Sequence, residues 1–181
     1  MLEFIGHVST EGGPLLIADR TTLSGWTGVE GGDYERLCDA LVASEPRALA
    51  VGLAGSAALA WNVPTGTAEA WRTSPSSVLL TRPWVDQEED ARRLAQPPMN
   101  GGEPLGRVSI PSGWLVVLWA PEPGSDVLAV EPRDGLSLEL SVGCAALVIE
   151  MPPGEYECHG DEVDIGTASA WRCHLTPVAS G

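Results

Sequence analysis

Two Cys-His dipeptides stand near the C-terminus, Cys158-His159 and Cys173-His174, and all four side chains are of metal-binding type. Each dipeptide lies in a run of strand character, where adjacent side chains point to opposite faces. One zinc ion could therefore take a single residue from each dipeptide without a bulge. The expected arrangement is two antiparallel strands with one buried cysteine row and one more exposed histidine row; zinc or a disulfide are the alternatives. Cys38 and Cys144 fit small buried hydrophobes better than a disulfide framework in a chain of this length. No metal and no cofactor is expected.

Other chemistries leave little trace. His7 stands alone in an apolar run and reads as a satisfied strand histidine, and three histidines in all give little material for acid–base work near neutral pH. Ser56 lacks the G-x-S-x-G elbow of a serine hydrolase. The glycines fit neither a Walker loop nor G-x-G-x-x-G, and no H-E-x-x-H or C-x-x-C occurs. Asp161-Glu-Val-Asp164 followed by Gly166 lacks the alternating ligands and distal glutamate of a calcium loop. An enzyme is not expected and no catalytic residue is assigned. Its signature would be a cleft joining His7, His159 or His174 to a carboxylate.

Charge and aromatic content say more. The 181 residues carry 25 acidic against 10 basic side chains, all of the latter arginine, for a net charge of −15. Such a chain lacks the clustered cations that phosphate contacts require, which argues against nucleic acid, and anionic membrane surfaces should repel it. Its longest apolar stretch, about 14 residues over 48–61, is glycine-interrupted and short of the roughly 20 needed to span a bilayer. The N-terminus shows no secretory signal, so a cytoplasmic location is the default. Glu150, Glu155, Glu157, Asp161, Glu162 and Asp164 cluster with no basic residue among them. They read as a solvated hairpin tip or as a docking surface for a basic partner, since complementary charge steers encounter. Of the seven tryptophans, Trp61, Trp119 and Trp171 are expected in the core and Trp84 stapled onto a helix. Trp26 is the best candidate for an exposed anchor.

The elements that must position these groups are mostly strands. Short β-type runs between Gly/Pro turns are expected at 2–8, 14–18, 48–52, 57–61, 78–81, 105–110, 114–119, 127–131, 136–140, 147–151, 155–159 and 169–176. Two short helices interrupt them. One spans 34–43 with Asp33 as N-cap and Leu37 and Leu41 on one face. The other spans 87–95 with Asp86 as N-cap, and Glu88–Arg92 and Glu89–Arg93 as i,i+4 pairs. The fold class is mainly β (α+β with two short helices), built of antiparallel sheets in one domain over 1–181. Gly55-Ser-Ala-Ala-Leu-Ala-Trp61 and Gly113-Trp-Leu-Val-Val-Leu-Trp119 share a glycine, five residues and a tryptophan. That match suggests two related halves at about 45–100 and 101–176, sharing one core.

The N-terminal segment carries a family resemblance. Glu11-Gly12-Gly13-Pro14-Leu15-Leu16-Ile17, then Leu23-Ser-Gly-Trp26-Thr-Gly28, then Asp33-Tyr34-Glu35-Arg36-Leu37-Cys38 resembles the start of the immunity protein 21 family. The glycine-led strands ending near 61 and 119 and the Met151-Pro-Pro-Gly-Glu-Tyr156 turn fit more loosely. Such proteins are small, mostly β and bacterial, and they are thought to neutralise toxins of polymorphic toxin systems. The resemblance implies a cognate toxin as partner, a basic nuclease among the candidates, bound stoichiometrically and occluded through an acidic surface. The alternative expectation is a small-molecule-binding or sensor module with a Trp-lined pocket between the halves.

Overall fold

Gly/Pro punctuation cuts the chain into runs too short for long helices but long enough for strands. The computed structural model describes residues 2–44, 47–85, 88–96, 102–141 and 143–179. Its strands are β1 (Glu3–Thr10), β2 (Leu15–Asp19), β3 (Ala48–Leu53), β4 (Ser56–Trp61), β5 (Gly66–Ser74) and β6 (Ser77–Trp84), then β7 (Glu103–Ile110), β8 (Trp114–Trp119), β9 (Leu136–Glu139), β10 (Cys144–Glu150), β11 (Gly154–Asp164) and β12 (Ser169–Pro177). A 3₁₀ helix (Arg20–Gly25) and α1 (Asp33–Ser44) follow β2; α2 (Glu88–Ala95) follows β6 and α3 (Gly124–Leu128) follows β8. The fold is mainly β, as the sequence leads one to expect.

Two antiparallel six-stranded sheets result, ordered β1-β5-β6-β12-β11-β7 and β3-β4-β2-β8-β10-β9. Alternate side chains of both, among them Ile17, Leu59, Trp61, Val78, Leu80, Val117, Leu147, Cys158 and Leu175, fill the space between them. The second sheet is buried on its other face too. There Leu16, Ala60, Val116, Leu118 and Val148 meet Leu23, Trp26, Leu37, Leu41 and Val127 of the covering helices. This explains the unbroken apolar runs of β2 and β8, whereas β11 alternates.

The order of strands has a two-fold symmetry. Adding six to each strand number of β1-β5-β6 gives β7-β11-β12, the other half of the same sheet reversed, and β3-β4-β2 maps likewise onto β9-β10-β8. The register obeys it. Leu15 pairs with Trp119 and Asp19 with Leu115, around Ile17 opposite Val117; Val78 pairs with Leu175 and Leu80 with Cys173, around Leu79 opposite His174. The sequence carries the same relation. Glu3, Gly6, Val8, Ser9, Gly13 and Leu15 recur as Glu103, Gly106, Val108, Ser109, Gly113 and Leu115. Both β1 and β7 skip one pairing just before the repeated glycine, at Ile5 and at Leu105. Gly55-Ser-Ala-Ala-Leu likewise recurs as Gly143-Cys-Ala-Ala-Leu147.

The two halves are therefore 3–84 and 103–177, not 45–100 and 101–176. The Gly55–Trp61 and Gly113–Trp119 motifs are not counterparts. They look alike because β4 and β8 flank the same strand, with Trp61 and Trp119 both opposite Leu15.

Four local readings also change. Residues 124–128, overlapping the expected 127–131 strand, form α3, because Pro123 presents an extended N-cap (φ −74°) and Gly124 packs so closely on Leu23 that a Cβ would lie 2.1 Å from its carbonyl oxygen. β5 is a strand that the sequence hid: its inward residues are the small Ala68 and Ala70. Asp33 opens α1 rather than preceding it. Its carboxylate accepts from the Thr27 backbone N–H (2.8 Å), the Thr27 hydroxyl and Arg36, tying the preceding loop to the helix. Burial pushes the Asp33 carboxyl up, but those hydrogen bonds and the Arg36 charge outweigh it and hold it below the usual range. In α2, Arg93 pairs with Asp90 at 2.6 Å (i,i+3), in place of the expected Glu89. Asp86 and the Glu88 side chain lie outside the described residues.

Candidate partner-binding surface

The acidic run of 150–164 does not stay unneutralised once folded. Pairing of β11 with β7 and β12 sets arginines from distant segments against it. Arg107 of β7 meets Glu157 at 2.8 Å. Arg172 of β12, itself 2% exposed, donates from Nε to Asp161 at 2.7 Å and from Nη2 to the other carboxylate oxygen at 2.5 Å. A third bond from its Nη1 reaches the Leu94 carbonyl (3.3 Å) and ties α2 to the sheet. Arg47, ahead of β3, lies 3.4 Å from both Glu162 and Glu103. Of the remaining candidates, Glu155 accepts from the Ser109 hydroxyl, Asp164 from the Gly166 N–H at the hairpin turn, and Glu150 is exposed at the end of β10. Asp161 thus serves the sheet, Glu157 (39% exposed) and Glu162 (53% exposed) are surface ion-pair partners, and Glu150, Glu155 and Asp164 are exposed.

Trp26 is not an exposed anchor. It is 4% exposed, and its indole N–H donates to the Ala120 carbonyl at 2.9 Å. Its backbone closes the 3₁₀ helix through Leu23 and accepts from Gly124 at the start of α3. Burial beneath these helices replaces the role that its loop-like sequence surroundings suggested.

A different aromatic pair reaches the surface. β11 loses β7 as a neighbour after Gly160, and its last residues continue only beside β12. At that end Trp84 (37% exposed) packs edge-on against Trp171, ring centres 5.6 Å apart. Arg47 lies over Trp171 at 5.3 Å and Arg82 over Trp84 at 4.8 Å. Arg82 is fixed from behind by the Pro64, Thr65 and Pro83 carbonyls, and burial lowers its pKa from the usual guanidinium value. Arg47 holds Glu103 and Glu162 beside the stack, and Asp164 lies two strands from Trp84 in the same cross-strand row. Trp84 therefore faces a strand partner instead of stapling to α2, and Trp171 is only partly in the core. Sequence reading could not join Trp84 to Trp171, because only the β6–β12 register does so.

The Cys-His dipeptides resolve as the strand geometry requires. Cys158 and Cys173 are fully buried between the sheets, while His159 and His174 stand opposite each other on the outer face. All four cysteines are free thiols. Contact with Cys158, then burial, pushes the Cys173 thiol well up. Burial, with the nearby Arg172 and His159 charges, pushes His174 down against an opposing contribution from Asp161, and its Nε2 lies 3.0 Å from the Thr73 hydroxyl. His7 is exposed on β1, with Glu69 as its cross-strand neighbour. Among the described residues no three His, Cys, Asp or Glu side chains are grouped to hold a metal ion, and no helix is long and apolar enough to cross a membrane.

The Gly12-Gly13-Pro14 turn has a structural account. Both glycines have positive φ (127° and 86°), and a Cβ on Gly13 would fall 2.7 Å from the Tyr34 hydroxyl. The Gly12 carbonyl accepts from the Trp119 indole at 2.8 Å. Comparison with known proteins finds no matching family model, no matching curated protein and no matching solved structure.

Proposed function

We propose that the protein is a stoichiometric inhibitor that binds and neutralises a cognate toxin by covering its working surface. The observation that carries this reading is the Trp84–Trp171 stack, clasped by Arg47 and Arg82, with Glu103 and Glu162 held beside it by Arg47. Tryptophan and arginine are the residues that dominate interface hot spots, and a polar rim around them excludes water. Glu103, Glu162 and the net charge of −15 favour a basic partner, such as a nuclease, whose own site is shaped for phosphate. The resemblance of residues 11–38 to an immunity family supplies the class of partner, and a cytoplasmic location accompanies it.

Co-expression tests the reading. The toxin encoded beside this gene should kill alone and be tolerated with the chain present. Continued killing, with no complex recovered, would refute it.

A further inference from the structure

The outer face of the first sheet carries a concave site, away from the tryptophan stack. α2 lies across β6 and β12, its Leu94 and Ala95 packed on Ala168, Ala170, Leu79 and Trp71. Between α2 and the β1/β5 edge a groove of about 480 Å³ remains open, lined by Phe4, Glu69, Trp71, Glu89, Ala91 and Arg92. That volume is in the range of small-molecule sites. Its floor is aromatic: Phe4 is 50% exposed and meets Trp71 edge-on at 5.1 Å. The Trp71 indole N–H is directed to the Thr81 hydroxyl (3.3 Å) and the residue is only 6% exposed, so it backs Phe4 and presents ring carbon rather than a donor at the groove.

The internal two-fold supplies a comparison within the same molecule. Phe4, His7, Glu69 and Trp71 correspond to Pro104, Arg107, Glu157 and His159, as the cross-strand pairs His7–Glu69 and Arg107–Glu157 show. The second half has a smaller groove at the equivalent place, about 240 Å³, lined by Pro104, Arg107, Glu157 and His159. There the chain's own Arg107 guanidinium lies on the carboxylate at 2.8 Å. In the first half an aromatic pair replaces Pro104 and His159, a histidine replaces the arginine, and α2 adds a second carboxylate, Glu89. We propose that this groove binds an organic cation, an ammonium or guanidinium on an apolar body, with its charge between Glu69 and Glu89 and its body on Phe4 and Trp71. A cation over an aromatic ring gains from the ring quadrupole. The two carboxylates outnumber Arg92, and the field of a chain of charge −15 concentrates cations and repels anions.

Ligand-observed NMR titration of the full chain with benzylammonium, benzyl alcohol and benzoate at matched ionic strength tests this. Benzylammonium should bind saturably at one site, more tightly than the alcohol, with benzoate weakest. Phe4→Ala and Glu69→Gln should each weaken it about tenfold, and Glu157→Gln in the equivalent groove should change it by less than about twofold. Phe4 is half exposed, so its variant keeps the test valid should Glu69→Gln disturb the fold. The proposal is overturned if benzylammonium shows no saturation, if benzoate binds as well, or if folded Phe4→Ala binds unchanged. None of these results depends on a toxin, so the groove and the inhibitor reading can fail separately.

Discussion

Asp161→Asn separates a carboxylate that holds the fold from those that only surround it. Arg172 is 2% exposed, and two of its nitrogens are satisfied by Asp161, whose own side chain is 19% exposed. Removing the negative charge withdraws the Asp161 carboxylate from a buried guanidinium, which costs about 3–5 kcal/mol in comparable pairs. Partial exposure of Asp161, and the hydrogen bond that asparagine can still accept, place the expected loss near the lower end, about 3 kcal/mol. The loss should extend to α2, because the same guanidinium holds the Leu94 carbonyl. Equilibrium urea unfolding, followed by circular dichroism and tryptophan fluorescence together, gives the number when the two transitions coincide. Combining Asp161→Asn with Arg172→Met should recover much of the stability, since an apolar side chain needs no partner there. Glu162→Gln, at an exposed pair 3.4 Å from Arg47, should cost less than about 1 kcal/mol. If Asp161→Asn also costs less than about 1 kcal/mol, the buried pair does not hold this sheet and the reasoning is wrong.

Other expectations follow from the same contacts. Trp26→Ala should lose about 3–5 kcal/mol by urea unfolding, because a buried ring and its bond to Ala120 are removed, whereas a surface anchor would lose almost nothing. Gly28→Ala should destabilise by more than about 1 kcal/mol in the same assay; φ there is +60° and a Cβ would sit 2.3 Å from the Pro121 carbonyl oxygen. His174 is held below its ordinary value of 6.5, so just below that pH the unfolded chain binds more protons than the folded one. Its contribution therefore makes stability rise with pH through that window and level off above it. His174→Gln should flatten that slope in unfolding free energies measured across it, and an unchanged slope would contradict the assignment.

Much of the fold was legible because strand and turn chemistry are local. The cysteine and histidine rows of β11 and β12 follow from period-two geometry alone. What escaped was non-local or masked by weak propensity. β5 faces inward with alanines that read equally well as helix. α3 depends on Gly124 meeting Leu23, roughly a hundred residues away in sequence. A repeat is legible in the sequence but its alignment is not, since β4 and β8 resemble each other as neighbours of β2, whereas the true counterparts share register glycines. The candidate surface was half legible. Glu162 is tied through Arg47 to Trp171, but Trp84, Trp171 and Arg82 come together only through pairing of β6 with β12, and Arg47 reaches Trp171 from ahead of β3. The arginines that neutralise Glu157 and Asp161 come from β7 and β12.

Isothermal titration of the purified chain with the toxin encoded beside its gene tests the central claim most directly. A one-to-one complex is predicted, weakened by at least about thirtyfold in Trp84→Ala, the scale of an interface hot spot. Trp26→Ala perturbs the core and is an unsuitable control, so Glu139→Gln on the far edge strand should serve and bind as the parent does. No heat of binding, or a complex that Trp84→Ala leaves unchanged, would contradict the account.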